Sequence, residues 1–191
     1  MSETVFIKDL SKHVGETIKI QGWMFNKRSS GKLHFLQLRD GSGVVQGIVF
    51  QGAVTPEVFT LADSLTMESS VRVEGEVTKH PKMENTYELQ IKSIEPVHIP
   101  TEDYPIAKKE HGPDFLLENR HLWLRSSKQR AIQIIRNTII NGIYEYLNRE
   151  GFIKIDSPIL TPSACEGTTE LFELKYFDEG FAYLSQSGQL Y

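Results

Sequence analysis

The first half of the chain alternates hydrophobic and polar residues with a period of two, which is typical of half-buried β-strands. Five segments carry this pattern, at residues 16–25, 32–40, 44–50, 70–79 and 86–97. Between the third and the fourth, residues 55–65 change to a helical period, with Thr55 as a candidate N-cap and Pro56 in the first turn. Three strands, a helix and two strands are the element order of the OB-fold, a barrel that binds oligonucleotides. Another small β-barrel with a structural role would follow the same pattern.

The pattern changes after the last of these strands. Residues 98–114 are rich in proline and charge and show no period, so they are predicted to form a linker. Residues 127–149 then follow a helical period. One stripe of this helix carries Ile132, Ile135, Ile139 and Ile143. A surface that apolar must be covered, either by the rest of a larger domain or by another subunit.

The helix is expected to end at Gly151, because glycine commonly follows the last helical turn. The segment FIKIDSPIL, residues 152–160, is then predicted to run as a strand into Pro158. Further along, residues 161–172 show no period and are predicted to form a loop, with a strand opening at Leu171 and Phe172.

Composition adds limits rather than a function. The 191 residues include 39% hydrophobic and 24% charged residues, which is ordinary for a globular protein. No apolar run reaches membrane-spanning length, and the N-terminus lacks a secretory layout. The single cysteine excludes an internal disulfide, so we expect a cytoplasmic protein. The net charge of −4 argues against a surface coated in positive charge, but it leaves a local basic face possible.

Four residues of the predicted barrel could carry chemistry: Arg28, Phe35, Gln46 and Glu88. An exposed phenylalanine offers a base a stacking surface, and a glutamine amide offers a donor and an acceptor to its pairing edge. Arg28 lies at a turn between strands, where it could meet phosphate or a base. The alternative is that Phe35 belongs to the core and that Gln46 lies on a solvated strand.

The end of the chain holds a second candidate group. Glu166 precedes a glycine in a loop and could pair with an ammonium group, or it could be a solvated loop residue. Gln186 and Gln189 flank a glycine and could face one ligand, or simply end a polar strand. The chain has no glycine-rich phosphate loop, no dinucleotide fingerprint and no His/Cys cluster with metal spacing, so we assign no metal site and no catalytic residue.

Several longer motifs together resemble a known family. They are GWMFNKRSSGKLHFLQLRDGSG, RHLWLR, GFIKIDSPIL, SACEGTTELF and YLSQSGQLY. The chain resembles the N-terminal part of class II aminoacyl-tRNA synthetases of the aspartate–asparagine–lysine group, most closely asparaginyl enzymes of bacterial type. Aspartyl relatives generally carry proline where this chain has Gly188, which favours the asparaginyl interpretation.

The resemblance implies a fold in three parts. These are an OB-fold anticodon-binding barrel at residues 1–98, a linker at 99–126, and at 127–191 the start of a class II α+β catalytic domain built on an antiparallel sheet. It also implies roles in the barrel: Phe35 stacks on the middle anticodon base, and Gln46 hydrogen-bonds that uridine. Arg28 contacts the third base, and Glu88 is a weaker match for the residue that reads the first base.

In the second part, the resemblance implies that Glu166 holds the ammonium group of the amino acid. Gln189 matches a substrate-binding glutamine, and Gln186 and Ser187 line the same pocket. The long helix and the signature proline of motif 1 are implied to form a homodimer interface, with Ile135, Ile139 and Pro158 in it.

The implied activity is ATP- and Mg²⁺-dependent conversion of asparagine to an adenylate, followed by transfer to tRNA(Asn). The ATP-binding motifs 2 and 3 of the family lie downstream of residue 191, so we expect these residues to be part of a longer synthetase and to be inactive alone. One alternative is an aspartyl-tRNA synthetase of relaxed specificity. Another is a free-standing OB-fold RNA-binding module with a dimerising helix, which leaves the last two motifs without a purpose.

Overall fold

The computed structural model describes residues 4–106, 109–163 and 170–189. The chain divides into two compact units, Met1–His111 and Gly112–Tyr191. Each unit has its own sheet, and each is described by itself below.

The first unit is a closed five-stranded barrel, which confirms the predicted OB-fold. Its strands are β1 (Thr17–Ser30), β2 (Leu33–Arg39), β3 (Val44–Phe50), β4 (Ser70–Lys79) and β5 (Tyr87–His98), joined in the order β1-β2-β3-β5-β4. Only β3 and β5 are parallel among these neighbours, and all the others are antiparallel. β1 continues well past its predicted end and contains an irregularity between Met24 and Asn26. Such a bulge lets one long strand bend around a barrel.

The barrel is held together by the inward side of each alternating strand. In β2, for example, Leu36 and Leu38 are buried, and Phe35 between His34 and Leu36 points to the other side. Helix α1 (Pro56–Ser64) packs against this core through Ala62, and the Thr55 side chain caps its first turn as predicted. A short 3₁₀ helix at Ile7–Lys12, which was not predicted, also contributes buried residues.

The second unit begins with short helices where the sequence indicated a linker. Helix α2 spans Pro113–Glu118 and α3 spans Arg120–Trp123. The long helix α4 spans Ser127–Arg149, which are the predicted limits. The proposed boundaries at residues 98 and 126 stay predictions. No described helix combines the length and the apolar character needed to cross a bilayer.

One serine and one glycine define the two ends of α4. The Ser126 hydroxyl accepts a hydrogen bond from the Gln129 backbone N–H and caps the first turn. Gly151 follows the helix with φ +88°, a conformation that side-chain-bearing residues rarely adopt. The structure therefore confirms the predicted end of the helix at Gly151, and the positive φ of this glycine explains why the helix ends there.

The predicted strand at residues 152–160 is wrong over most of its length. Only β6 (Leu160–Thr161) is paired, and it joins β8 (Phe181–Leu184), which also pairs with β7 (Glu173–Lys175) in a small antiparallel sheet. Within the described ranges residues 152–159 belong to no strand, although the Ile159 carbonyl accepts from the Ser185 N–H over 2.9 Å. The apolar side chains of this segment are exposed, Ile153 by 86%. Alternation reports that a segment can be half-buried, but a strand also needs a hydrogen-bonded neighbour. β7 begins at Glu173, directly after the predicted opening at Leu171 and Phe172.

Candidate nucleic-acid interface

The outer face of the barrel brings together the four predicted residues. Arg28 of β1 lies opposite Phe35 of β2, and Gln46 of β3 lies opposite Glu88 of β5. Gln37 links the two pairs, because it is opposite Gln46 on the strand that carries Phe35. Directly opposed residues point to the same side of a sheet. The four side chains therefore belong to one surface, which we call the reading face (Arg28, Phe35, Gln46 and Glu88).

Phe35 belongs to this surface and not to the core. It is partly exposed, whereas its neighbours His34 and Leu36 are buried on the inner side of the strand. The Arg28 guanidinium lies 4.9 Å from the centre of the Phe35 ring. A base that stacks at this position would meet both a ring and a planar cation, and both groups stack favourably on bases.

Gln46 and Glu88 form a direct hydrogen bond. The Gln46 amide nitrogen donates to Glu88 Oε1 over 2.8 Å. Glu88 is only 6% exposed, so its carboxylate is held in place by its surroundings. Because a carboxylate accepts and does not donate, this bond fixes which end of the amide is nitrogen. The amide keeps its oxygen and its second N–H for another partner.

Sequence reasoning missed one residue of this network, His80. It follows β4 at the start of the loop to β5, and its Nε2 lies 3.7 Å from Glu88 Oε1. The loop around it borders a concavity of about 410 Å³ lined by residues 79–87, including Lys79 and Lys82. Loops of this kind join the strand face in nucleic-acid binding by OB-folds. The sequence feature that could have revealed this residue is a histidine in a hairpin turn, directly after β4, the strand that pairs with Glu88.

Asp40 positions the turn that joins β2 to β3. Its Oδ2 accepts from the Ile7 backbone N–H over 2.8 Å, and its Oδ1 accepts from the Ser42 N–H, the Ser42 hydroxyl and the Gly43 N–H. Burial of the carboxyl opposes ionisation, but these hydrogen bonds outweigh it and hold the pKa of Asp40 below its ordinary value. The turn so fixed connects the strand of Phe35 to the strand of Gln46.

In the second unit, the predicted pocket residues lie near the end of β8. Ser185 donates its hydroxyl to the Ser187 carbonyl over 2.8 Å, and the Gln189 backbone N–H donates to Ser187 Oγ over 3.1 Å. Gly188 lies against the Ser157 hydroxyl, which would have to rotate away from a side chain added there. Gln186 lies in the same turn. The roles of these residues stay predictions, and Glu166 lies outside the described residues.

The predicted dimer residues are exposed within their own unit. Ile135 and Ile139 are 58% and 56% exposed, and Pro158 is also exposed. Their place in an interface between copies stays a prediction. Within the described residues, no group of three or more His, Cys, Asp or Glu side chains is arranged to hold a metal ion.

Family comparisons agree with this division of the chain. Residues 18–97 match a family model described as an OB-fold nucleic acid binding domain of the tRNA anticodon type. Residues 112–191 match the model of class II tRNA synthetases for D, K and N. The first match defines the class of domain that carries the reading face. Together the two matches show that the chain belongs to the class II aminoacyl-tRNA synthetases of the aspartate, lysine and asparagine group, as the sequence motifs predicted.

Solved structures give the same result. Asparaginyl-tRNA synthetase from Pyrococcus horikoshii, complexed with asparaginyl-adenylate, is 36% identical, covers all of this chain and has a TM-score of 0.89. A putative aspartyl-tRNA synthetase from Leishmania major Friedlin is 28% identical over 98% of this chain, or 39% of its own, with a TM-score of 0.84. Asparaginyl-tRNA synthetase from Entamoeba histolytica is 27% identical over the full chain, with a TM-score of 0.77. This chain spans 44% of the length of both asparaginyl structures.

Proposed function

We propose that this chain is the anticodon-binding part, with the beginning of the catalytic domain, of an asparagine–tRNA ligase. The observation that carries the proposal is the reading face, where a stacking ring adjoins an amide whose orientation a buried carboxylate fixes. Its support for asparagine rather than aspartate is the 36% identity to an asparaginyl-tRNA synthetase whose structure contains asparaginyl-adenylate. The alternative, an aspartyl enzyme of relaxed specificity, has support in the 28% identity to a putative aspartyl-tRNA synthetase.

The chemistry of the reading face suits a uridine at the middle anticodon position. The pairing edge of uracil presents an N3–H donor beside carbonyl acceptors, and an amide presents the matching oxygen and N–H. Cytosine presents an acceptor at N3 and an amino donor beside it, which is the opposite arrangement. An amide that cannot turn over therefore accepts uracil and disfavours cytosine, while Phe35 supplies stacking to either base.

The other predicted roles complete the proposal. Arg28 contacts the third anticodon base from its place beside the Phe35 ring, and Glu88 contacts the first base with acceptor positions that Gln46 does not use. Both tRNA(Asn) and tRNA(Asp) have uridine in the middle position, so the third base must separate them. A guanidinium has donors only, so it favours bases that present acceptors there.

In the second unit, Glu166 is proposed to hold the ammonium group of asparagine, with Gln186, Ser187 and Gln189 around the rest of the amino acid. The proposed reaction uses ATP and Mg²⁺ to form asparaginyl-adenylate and then charges tRNA(Asn), in a cytoplasmic homodimer whose interface includes Ile135, Ile139 and Pro158. The protein's part in such a reaction is positioning and charge stabilisation. The exposed stripe of α4 supports the dimer.

Anticodon recognition is tested by binding of the chain to a labelled RNA hairpin that carries the GUU anticodon loop. Phe35→Ala and Gln46→Ala should each raise Kd by about tenfold, because stacking on one base is worth roughly 1–3 kcal/mol and a good base-edge hydrogen-bonding pair is worth a similar amount. Matched controls are Phe6→Ala, an exposed ring on the N-terminal segment, and Gln21→Ala, which lies on β1 opposite β4. If neither reading-face variant weakens binding more than its control, the proposed roles are wrong.

Amino-acid specificity needs a polypeptide of the relatives' full length, because this chain spans 44% of the matched asparaginyl structure. ATP–pyrophosphate exchange should depend on asparagine and not on aspartate, and the 191-residue chain alone should show none. Exchange that depends on aspartate would favour the aspartyl alternative. Hairpin binding without any amino-acid-dependent exchange would favour a free-standing RNA-binding module.

A further inference from the structure

The two ring nitrogens of His80 face different partners: Nδ1 faces the backbone of its own loop, and Nε2 faces Glu88. Nδ1 accepts from the backbone N–H groups of Lys82 and Met83, each over 3.1 Å. The backbone N–H of His80 donates to the Thr86 carbonyl over 2.8 Å and closes the loop. A ring nitrogen that accepts hydrogen bonds carries no proton, so the ring proton lies on Nε2.

The protonated Nε2 faces the carboxylate of Glu88. Their closest atoms, Nε2 and Oε1, are 3.7 Å apart, which is a distance that a water molecule can bridge rather than a direct hydrogen bond. The same Oε1 accepts from the Gln46 amide over 2.8 Å. Both side chains are largely enclosed, with 19% exposure for His80 and 7% for Glu88. Glu88 Oε1 thus lies between two donors, His80 Nε2 in the loop and the Gln46 amide nitrogen on β3.

We propose that His80 is a positioning residue for selection of the middle anticodon base, acting through Glu88 on the Gln46 amide. The inference rests on the proposed anticodon function of the reading face. A carboxylate held on one side by His80 stays where the Gln46 nitrogen can reach it, and the amide oxygen then stays directed away from it. A turned-over amide would bring its own oxygen against the carboxylate, which is repulsive.

Loss of this support has a specific consequence. If Glu88 moves, the Gln46 amide can turn over, and the turned-over form presents its N–H and oxygen in the order that suits cytosine. Removing His80 should therefore weaken the discrimination between uridine and cytosine and leave the stacking of the base unchanged. A residue that only stabilised the fold would weaken binding to both bases equally.

The two tasks of His80 can be separated with a conservative variant. In His80→Asn, the side-chain oxygen can still accept from the backbone N–H two residues later, as asparagine commonly does in turns. The shorter side chain, however, does not extend to Glu88. His80→Ala removes both contacts. His98→Asn, an exposed histidine at the end of β5, is the matched control.

The experiment compares Kd for two RNA hairpins that differ only in the middle anticodon base, GUU and GCU, using the 191-residue chain. For the wild type we expect at least about tenfold preference for GUU, the value of one well-placed base contact. His80→Asn should reduce that preference by about fivefold, mainly through tighter relative binding of GCU, with an unchanged melting temperature. Glu88→Ala should reduce it similarly, and combining the two should add nothing further.

Each outcome has a distinct meaning. Unchanged preference in His80→Asn, with or without a loss in His80→Ala, overturns the inference, since loop anchoring would then be its only role. An equal loss of affinity for both hairpins in His80→Asn also overturns the inference. If the wild type itself binds GUU and GCU alike, the proposed reading of the middle base fails first, and the inference fails with it.

Discussion

The Asp40→Asn substitution tests how the barrel holds β2 and β3 in place. The carboxylate is 8% exposed and accepts hydrogen bonds from Ile7, Ser42 and Gly43. Asparagine has one acceptor oxygen in place of two. If that oxygen takes the Oδ1 position, the new NH₂ group faces the buried Ile7 N–H, and two donors oppose each other.

The magnitude follows from these contacts. A buried donor left without an acceptor costs about 1–3 kcal/mol, and bonds to a charged acceptor weaken by roughly 1 kcal/mol when the charge is removed. We expect Asp40→Asn to lower the free energy of unfolding by about 3 kcal/mol. That is a large share of the 5–15 kcal/mol roughly typical of a domain.

The pH dependence of the free energy of unfolding provides an independent test of this role of Asp40. Because the pKa of Asp40 is lowered in the folded state, its contribution is fully present above the ordinary carboxyl value of 3.8 and is lost as the pH falls through the lower folded value. The variant has no such titration. The stability difference between wild type and Asp40→Asn should therefore be constant near neutral pH and shrink in acid.

Urea unfolding of the barrel can be followed by the fluorescence of Trp23. A Trp123→Phe background removes the other tryptophan, which lies in the second unit. The exposed Asp103→Asn is the matched control and should change stability by less than about 0.5 kcal/mol. A loss below about 1 kcal/mol for Asp40→Asn, or a loss that persists unchanged in acid, would refute the role assigned to this carboxylate.

Three further substitutions follow from the packing. Glu68→Gln should destabilise the barrel by about 2 kcal/mol in urea unfolding, because the Glu68 carboxylate accepts two hydrogen bonds from Nη2 of the largely buried Arg39 guanidinium. Gly75→Ala should cost about 3 kcal/mol in the same assay, since its new Cβ would lie 2.5 Å from the backbone oxygen of Gln90. Ser126→Ala removes the cap of α4 and should cost about 1 kcal/mol, read as an earlier loss of helical circular dichroism on heating. Losses near zero would contradict each assignment.

The barrel could be predicted from sequence because each strand has one side in the core and one in water. Leu36 and Leu38 are buried, and the polar Gln37 and Arg39 that alternate with them are not, so this part of the pattern is visible in the sequence. The outward position of Phe35 was not visible, because an apolar residue there also suits the core. The extra length of β1 was not visible, because Asn26 to Ser30 are polar and are held by pairing with β2 rather than by burial. Backbone pairing with a neighbouring strand does not require alternating hydrophobic and polar residues, so it cannot be detected from such a pattern.

The same limit explains the strand predicted at residues 152–160. Its alternating apolar residues suit a half-buried position, but among the described residues only the end of the segment has a partner strand. Most of residues 113–123 lie beyond the proline- and charge-rich stretch at 98–114, and the resemblance placed them in a linker at 99–126. The structure forms two short helices there, which the sequence pattern did not predict. Short helices have too few turns to show a clear period.

The candidate site shows which part of a function sequence can reveal. Phe35 and Gln46 could be named from their residue types and motif. Their contacts could not, because the Gln46–Glu88 bond joins residues 42 apart through parallel pairing of β3 and β5. His80 lies in a loop without periodicity, and Asp40 looks like an ordinary turn residue. Both depend on neighbours that only the closed barrel brings close.

We propose that the outer face of β1, β2, β3 and β5 binds the anticodon. Titration of the ¹⁵N-labelled chain with the GUU hairpin, followed by amide and side-chain NMR shifts, tests it most directly. The largest shifts should fall on and beside the reading face (Arg28, Phe35, Gln46 and Glu88), including the Gln46 side-chain amide. Shifts concentrated on β4 or on the second unit, with the reading face unchanged, would contradict it.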